Sequence, residues 1–474
     1  MQTQSRHTET EENVRNIDIH RMAGEARLSG FHYGVLGWCA LIIICDGYDL
    51  AVAGIALPSI MKELAIAPGQ AGLLVSTALF GMMFGNLLLG PVADKIGRRW
   101  AIALCIALFS VFTAAAGLCS DPLLFGAARF LAGIGIGGVM PNVIAQMTEY
   151  APRRVRSTMV TLMFSGYSVG GMLAAVLGKG LIESYGWQSV FIAAGLPVLL
   201  IPLILKSMPE SVSFLIRHGR TEELKRLASR IDPGYRPEPG DRFVVMGADA
   251  AEAAPIRQLF QQGRARSTLM FWLSCFMCLF MVYALSSWLT KLMANAGYSL
   301  GSALTFVLVL NLGGMIGAIG GGWLADRFHI KYVLLGMYVL AAASITLLGH
   351  PLPTGWLYLL VGVAGASTIG TQIVGCAYAG QFYPDRIRAT GIGWTLGMGR
   401  GGAILAPIVI GLLVAMKLQL ELNFMAIAVP GLVAALAVMM IDHGRSASAV
   451  AGQGNAAGGA VLADVPQQAA NSNT

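Results

Sequence analysis

The chain reads as an all-α membrane protein of twelve transmembrane helices in two pseudo-symmetric six-helix bundles. Three features predict this: an apolar composition, recurring apolar runs of membrane length, and an internal repeat in a fixed register. Of 474 residues, 55% are hydrophobic and 12% are charged, and the mean hydropathy is +0.66. A water-soluble fold cannot hide that much apolar surface. Runs of about 20 apolar residues recur from Tyr33 to Ile441, each long enough at ~1.5 Å per residue to cross a ~30 Å hydrocarbon core.

Hydropathy places the spans near 34–57, 70–93, 100–119, 122–147, 158–182, 188–206, 267–293, 302–325, 331–349, 354–380, 389–415 and 420–441. Lys and Arg then sort by side. Arg98, Arg99, Arg153, Arg154, Arg156, the 207–266 segment, Arg327, Lys331, Arg386 and Arg388 fall on one side, against Lys62, Lys179, Lys291 and Lys417 on the other. Positive residues stay inside, so both termini are expected in the cytoplasm of a multi-pass protein of the bacterial inner membrane. The first 33 residues are polar and lack the apolar core of a secretory signal, so the first span is expected to target the chain.

The net charge of +7 comes from basic residues dispersed between spans, which points to membrane topology and excludes a nucleic-acid partner. The seven cysteines lie mostly inside apolar runs. Even Cys275-x-x-Cys278 has no second pair, so no metal site or disulfide framework is expected. Gly133-Ile-Gly135-Ile-Gly137-Gly138 mimics a dinucleotide loop but follows no strand; its glycines suit close helix packing instead. No cofactor is implied, and no nucleophile–base pair suggests an enzyme.

The repeat is the most informative pattern. Gly90-x3-Asp94-Lys95 returns as Gly322-x3-Asp326-Arg327, and Glu149-Tyr-Ala-Pro152-x3-Arg156 returns as Gln381-Phe-Tyr-Pro384-x3-Arg388, every matched pair 232 positions apart. Two independent motifs in one register divide the chain into an N-terminal segment (1–33), a six-helix bundle (34–206), a linker (207–266), a second bundle (267–441) and a tail (442–474). The linker holds an amphipathic helix, Glu222 to Ile231, and the tail reads as disordered. Parallel repeats of this kind place a substrate site at their interface, near mid-membrane.

Gly90-Pro-Val-Ala-Asp94-Lys95-Ile-Gly97-Arg98-Arg99 resembles the loop between the second and third helices of the major facilitator superfamily. Within it, Asp46-Gly47-Tyr48-Asp49-x4-Gly54-x3-Pro58 resembles the first-helix signature of the aromatic acid:proton symporters. Pro209-Glu210-Ser211, Thr368-Ile-Gly-Thr371-Gln372 and Gly397-x-Gly399-Arg400 extend the likeness along the chain, most closely to benzoate transporters. Gly166-Tyr-Ser-Val-Gly170-Gly171 lacks the Gly-Pro pair of drug–proton antiporters, which favours symport over efflux. The resemblance implies the major facilitator fold and import of benzoate or a hydroxybenzoate with protons, by a carrier that functions as a monomer in the lipid bilayer. Another organic acid, an efflux carrier and a substrate-sensing receptor are the alternatives.

Each charge in a span costs about 2.5–3.5 kcal/mol on insertion scales, so Asp46, Asp49, Arg129 and Arg400 are functional candidates. The repeat sharpens this, because Asp46, Asp49 and Arg129 match Cys278, Met281 and Val361; architectural charges are duplicated and these are not. Asp46 and Asp49, three apart, share a helix face. They cannot both ionise cheaply in a low-dielectric cavity, which makes a reversible proton site. Depth along the spans puts Asp49 and Arg129 both about 5–7 Å toward the outside, so Arg129 is expected to pair with aspartate or to take the substrate carboxylate. Arg400, between Gly399 and Gly401-Gly402, is a second anchor for the anion. Tyr283, Trp288, Gln372, Tyr378, Asn142 and Gln146 are candidates for the ring slot. Gly90, Asp94, Arg98, Glu149, Arg156, Asp326 and Arg388 are read as gate residues holding the halves together on the cytoplasmic face.

Overall fold

The computed structural model describes residues 15–238, 241–244 and 256–446; the expected disordered tail lies outside them from residue 447 on. Twelve helices are long and apolar enough to cross a membrane: Gly30–Glu63, Pro68–Ile96, Arg98–Gly117, Pro122–Tyr150, Thr158–Tyr185, Gln188–Ser207, Ala265–Asn295, Leu300–Arg327, Ile330–Leu347, Thr354–Phe382, Thr390–Ala415 and Leu420–Met439. They are the first to twelfth spans below. An even number returns the chain to its starting side, here the terminal face, opposite the far face.

One span outruns its hydropathy window, and another fills its window without being a single helix. The first runs past Pro58 to Glu63, because its far end is held from outside the helix: the Glu63 carboxylate accepts from Trp187 Nε1 at 2.9 Å and Gln188 Nε2 at 2.6 Å. Tertiary bonds there outweigh a local helix breaker. The sixth span is one apolar run but three pieces, helix Gln188–Ala193, 3₁₀ turn Leu196–Leu200 and helix Ile201–Ser207. Pro197 and Pro202 each remove an N–H that a continuous helix needs.

The repeat reappears in three dimensions. A Cβ at Gly81 would stand 2.1 Å from the Phe130 carbonyl oxygen, and one at Gly313 2.0 Å from that of Gly362. Gly170 meets Ile44 as Gly402 meets Phe276, at 2.1 and 2.0 Å. Both partners of each pair shift by the same 232 positions. Within each half the same packing follows: second on fourth and first on fifth, then eighth on tenth and seventh on eleventh.

The halves meet where the first span packs on the seventh, the second on the eleventh and the fifth on the eighth. The close approaches lie toward the far face. A Cβ at Gly54 would stand 2.1 Å from the Ser286 oxygen and one at Gly72 2.3 Å from that of Pro407, while Ser76 Oγ donates to Ile404 O at 2.7 Å. Toward the terminal face, nothing lies within 4 Å of where a Cβ at Gly90, Gly322, Gly393 or Gly397 would stand. The halves thus touch through backbone on the far side, while these four glycines toward the terminal side have open space beside them.

At the terminal face, Arg15–Asp18 pairs in parallel with Asp241–Val244. Helix Thr221–Ile231 buries Leu224, Leu227, Ala228 and Ile231 on one face, the spacing of an amphipathic helix. Helix Ile19–Glu25 joins the first half through Arg153 N, which donates to Gly24 O at 2.9 Å. The Arg230 guanidinium lies 5.1 Å over the Phe31 ring. The start of the chain and the linker are therefore fastened together and to the first half.

Candidate functional site

The first span carries both aspartates to the seam between the halves, and the structure gives them different partners. Arg129, from the fourth span, donates from Nη1 to both Asp49 oxygens at 3.1 and 3.2 Å and from Nη2 to the Asp49 carbonyl at 3.3 Å. Thr113 Oγ1 accepts from Nη1 at 2.9 Å, and the guanidinium stands 5.7 Å over the Phe191 ring. Arg129 is 1% exposed and Asp49 0%. Removing either side of such a pair would leave a buried charge unmatched. All of its members belong to the first half.

Asp46 has no such partner. It is fully buried, and neither of its carboxylate oxygens accepts a hydrogen bond within the described residues. The charges acting on it are Asp49 on its own helix and Arg400 from the eleventh span, across the seam. Arg400 is half-buried and donates from Nη1 to Tyr283 Oη at 3.3 Å. Tyr167, from the fifth span, interacts with Tyr283 and lies within electrostatic reach of Asp46 and Arg400. Groups from both halves therefore converge on one place, with a buried carboxylate left unbonded among them.

A cavity opens beside this cluster, lined by Gly47, Leu50, Ala51, Ala53, Val75, Ala78, Leu79, Arg129, Tyr167, Tyr283, Ser286, Ser287, Val307 and Asn311. Its water-accessible space is about 20 Å³, room for about one water.

Other candidates go elsewhere. Trp288 Nε1 donates to Pro407 O at 3.0 Å and Asn142 Nδ2 to Gly138 O at 2.8 Å, so both serve packing within a bundle. Gln146 Nε2 donates to Pro209 O at 2.6 Å. Tyr378 Oη lies 3.3 Å from His443 Nδ1 at the terminal-face end of the tenth span, and burial, then His329 and Lys331, hold His443 below the usual histidine range. Gln372 is half-buried on the tenth span. None of these five lines the cavity, and Tyr283 alone of the ring-slot candidates does.

Two of the gate candidates, Arg98 and Glu149, belong to a network inside the first half. Glu149 accepts from Arg98, from Ser211 Oγ at 3.3 Å and from Val212 N at 2.7 Å. Glu210 accepts from Arg99 N at 3.1 Å and Ser211 N at 2.9 Å, while its carbonyl accepts from Tyr150 Oη. Pro209-Glu210-Ser211 is thus a peg seated between the Arg98-Arg99 turn and the end of the fourth span. Arg156 Nε donates to Ala151 O at 3.3 Å, and Arg388 is half-buried at the start of the eleventh span. Asp94 and Asp326 are exposed and make no ion pair among the described residues.

Sequence reasoning missed Tyr167 and Asn311. Asn311 carried a readable signal: its repeat mate is Leu79, the same kind of polar-for-apolar exchange that singled out Asp46. Tyr167 carried none, since an isolated tyrosine in a span reads as packing.

Comparison with known proteins agrees with this architecture. The family model of the Major Facilitator Superfamily matches residues 39–375. The chain is 47% identical over 437 residues to a benzoate transport protein of Acinetobacter baylyi, covering 91% of this chain and 94% of that one. It is 34% identical to a gallate transporter and 33% identical to a 4-hydroxybenzoate transporter of Pseudomonas putida, each alignment covering 90% of this chain and 96% of the relative. Among solved structures, the partially occluded inward open xylose transporter of E. coli superposes with a TM-score of 0.66 at 18% identity, covering 86% and 98%. An inward-facing, unoccupied bacterial homolog of the lysosomal transporter Spinster gives 0.65 at 19%, covering 88% and 98%; both likenesses speak to the fold alone. The chain is a multi-pass membrane transporter, not an enzyme, and belongs to the Major Facilitator Superfamily, in its branch of aromatic acid transporters.

Proposed function

We propose that the chain imports an aromatic carboxylate, benzoate or a hydroxybenzoate, together with protons, by alternating access. It works as a monomer in the bacterial inner membrane with both termini in the cytoplasm. The terminal face, where Lys and Arg concentrate, is then the cytoplasmic face, and the conformation described above is the inward-facing one.

The observation that carries this reading is Asp46, a buried carboxylate with no hydrogen-bond partner among the described residues and within electrostatic reach of Arg400 on the other half. Deprotonated Asp46 attracts Arg400 from the other half. Protonation frees the guanidinium, whose planar fork suits a substrate carboxylate better than a point charge does. Proton and acid thus enter together, and the closed cavity holds a matched charge. Arg129 is left to hold Asp49 in the first half. The similarity to the benzoate and hydroxybenzoate transporters supports the choice of acid.

The direct test is uptake of labelled benzoate into proteoliposomes under an imposed pH gradient, with inside-acid and symmetric controls. Accumulation that is indifferent to the gradient would refute proton coupling. Arg400→Lys keeps the charge but loses the fork, so the apparent KM should rise on the order of tenfold at unchanged protein level; an unaltered KM would remove Arg400 from the binding role. Gly54→Leu places a side chain against the Ser286 backbone, where overpacking of about 1–3 kcal/mol opposes far-face closure. Uptake should fall by about tenfold or more while binding from the outside persists, which binding to right-side-out vesicles would show.

A further inference from the structure

Three pairs of cavity residues are repeat mates, each 232 positions apart: Val75 with Val307, Ala51 with Tyr283, and Leu79 with Asn311. The cavity therefore straddles the pseudo-two-fold axis, and at two of the three pairs the first half contributes hydrocarbon where the second contributes a polar group. That difference is what an unsymmetrical ligand requires. Tyr283 is already bonded to Arg400.

Asn311 has a different situation. It is 9% exposed, and its Nδ2 donates to Val307 O at 2.9 Å on its own helix, which fixes the amide. Its Oδ1 accepts no hydrogen bond from the described residues, and the residue is part of the cavity wall. The amide occupies space left by Gly171 of the other half, where a Cβ would stand 2.4 Å from Oδ1 and 2.8 Å from Nδ2. An acceptor held in place by the other end of its own amide, on a mostly apolar wall, is available to a donor that a ligand supplies.

We propose that Asn311 determines specificity by accepting a hydrogen bond from a donor on the substrate ring, a ring hydroxyl, while the carboxylate lies at Arg400 and Tyr283. The proposal rests on the aromatic-acid reading above. A site built to bond a substrate hydroxyl discriminates against the analogue that lacks it.

The test is competition of labelled benzoate uptake by 3-hydroxy-, 4-hydroxy- and 3,4-dihydroxybenzoate, expressed as each inhibition constant relative to that of unlabelled benzoate. Asn311→Leu installs the side chain of its repeat mate at similar volume. The ratio for the best hydroxylated acid should rise about three- to tenfold. A constant ratio, or an equal weakening for every acid, would leave Asn311 a packing residue. Gly171→Ala displaces the amide without removing it and should raise the ratio in the same direction; should Asn311→Leu fail to reach the membrane, a constant ratio in Gly171→Ala overturns the proposal. Wild-type protein with which no hydroxylated acid competes also overturns it. Failure of the aromatic-acid reading is separately visible, as wild-type protein that takes up no benzoate at all.

Discussion

Asp46→Asn is expected to abolish proton-driven accumulation of the acid while sparing exchange of labelled for preloaded substrate. The amide matches the protonated carboxyl in shape and keeps Arg400 free, so binding and rocking continue, yet there is no proton to carry. Because both Asp46 oxygens are unbonded and buried, removing the charge breaks no existing hydrogen bond, and the protein should remain at wild-type level in the membrane. Proteoliposomes separate the two activities: uphill uptake driven by an inwardly directed proton gradient, and counterflow without one. Uphill uptake that survives, or counterflow that vanishes with it at normal protein level, would remove Asp46 from the proton site.

Arg129→Gln should act through stability instead. It strands the buried Asp49 carboxylate, and breaking one side of such a pair costs about 3–5 kcal/mol, enough to deplete the protein or to lower its thermal midpoint in detergent sharply. The double variant Asp49→Asn with Arg129→Gln removes both charges and should recover most of that stability. A double variant as unstable as the single one would mean that the Asp49–Arg129 bonds are not what the first half depends on. The two aspartates, three residues apart, would thus give opposite phenotypes: one alters coupling in a stable protein, the other alters the protein.

Much of this was legible from the chain. Hydropathy located twelve spans because lipid demands about 20 apolar residues per crossing; it stopped the first span short of Glu63, where tertiary bonds extend the helix, and it placed the sixth span without revealing the breaks that its prolines make. The repeat exposed Asp46, Asp49 and Arg129 as unduplicated, and depth along the helices brought Asp49 and Arg129 to one level, where the structure pairs them. Which aspartate takes the arginine was not legible, since residues three apart share a face and a difference of one helical turn decides. Trp288, Tyr378, Asn142 and Gln146 looked like ligands because polar or aromatic groups in spans are conspicuous, but spacing alone cannot distinguish a side chain aimed at the seam from one bonded to its own bundle. The seating of Pro209-Glu210-Ser211 on Arg99 and Glu149 joins segments more than 60 positions apart, beyond the reach of any local pattern.

The far-face seam is made in part by main chain lying on main chain, at Gly54 against Ser286 and Gly72 against Pro407. Closing such a surface freezes no rotamers at those points, whereas a seam of long side chains loses up to about 2 kcal/mol of rotamer freedom for each one immobilised. On the alternating-access reading proposed above, shutting this outer door would cost little entropy at those points, so that modest forces, a single bound acid among them, would tilt the balance between the two postures.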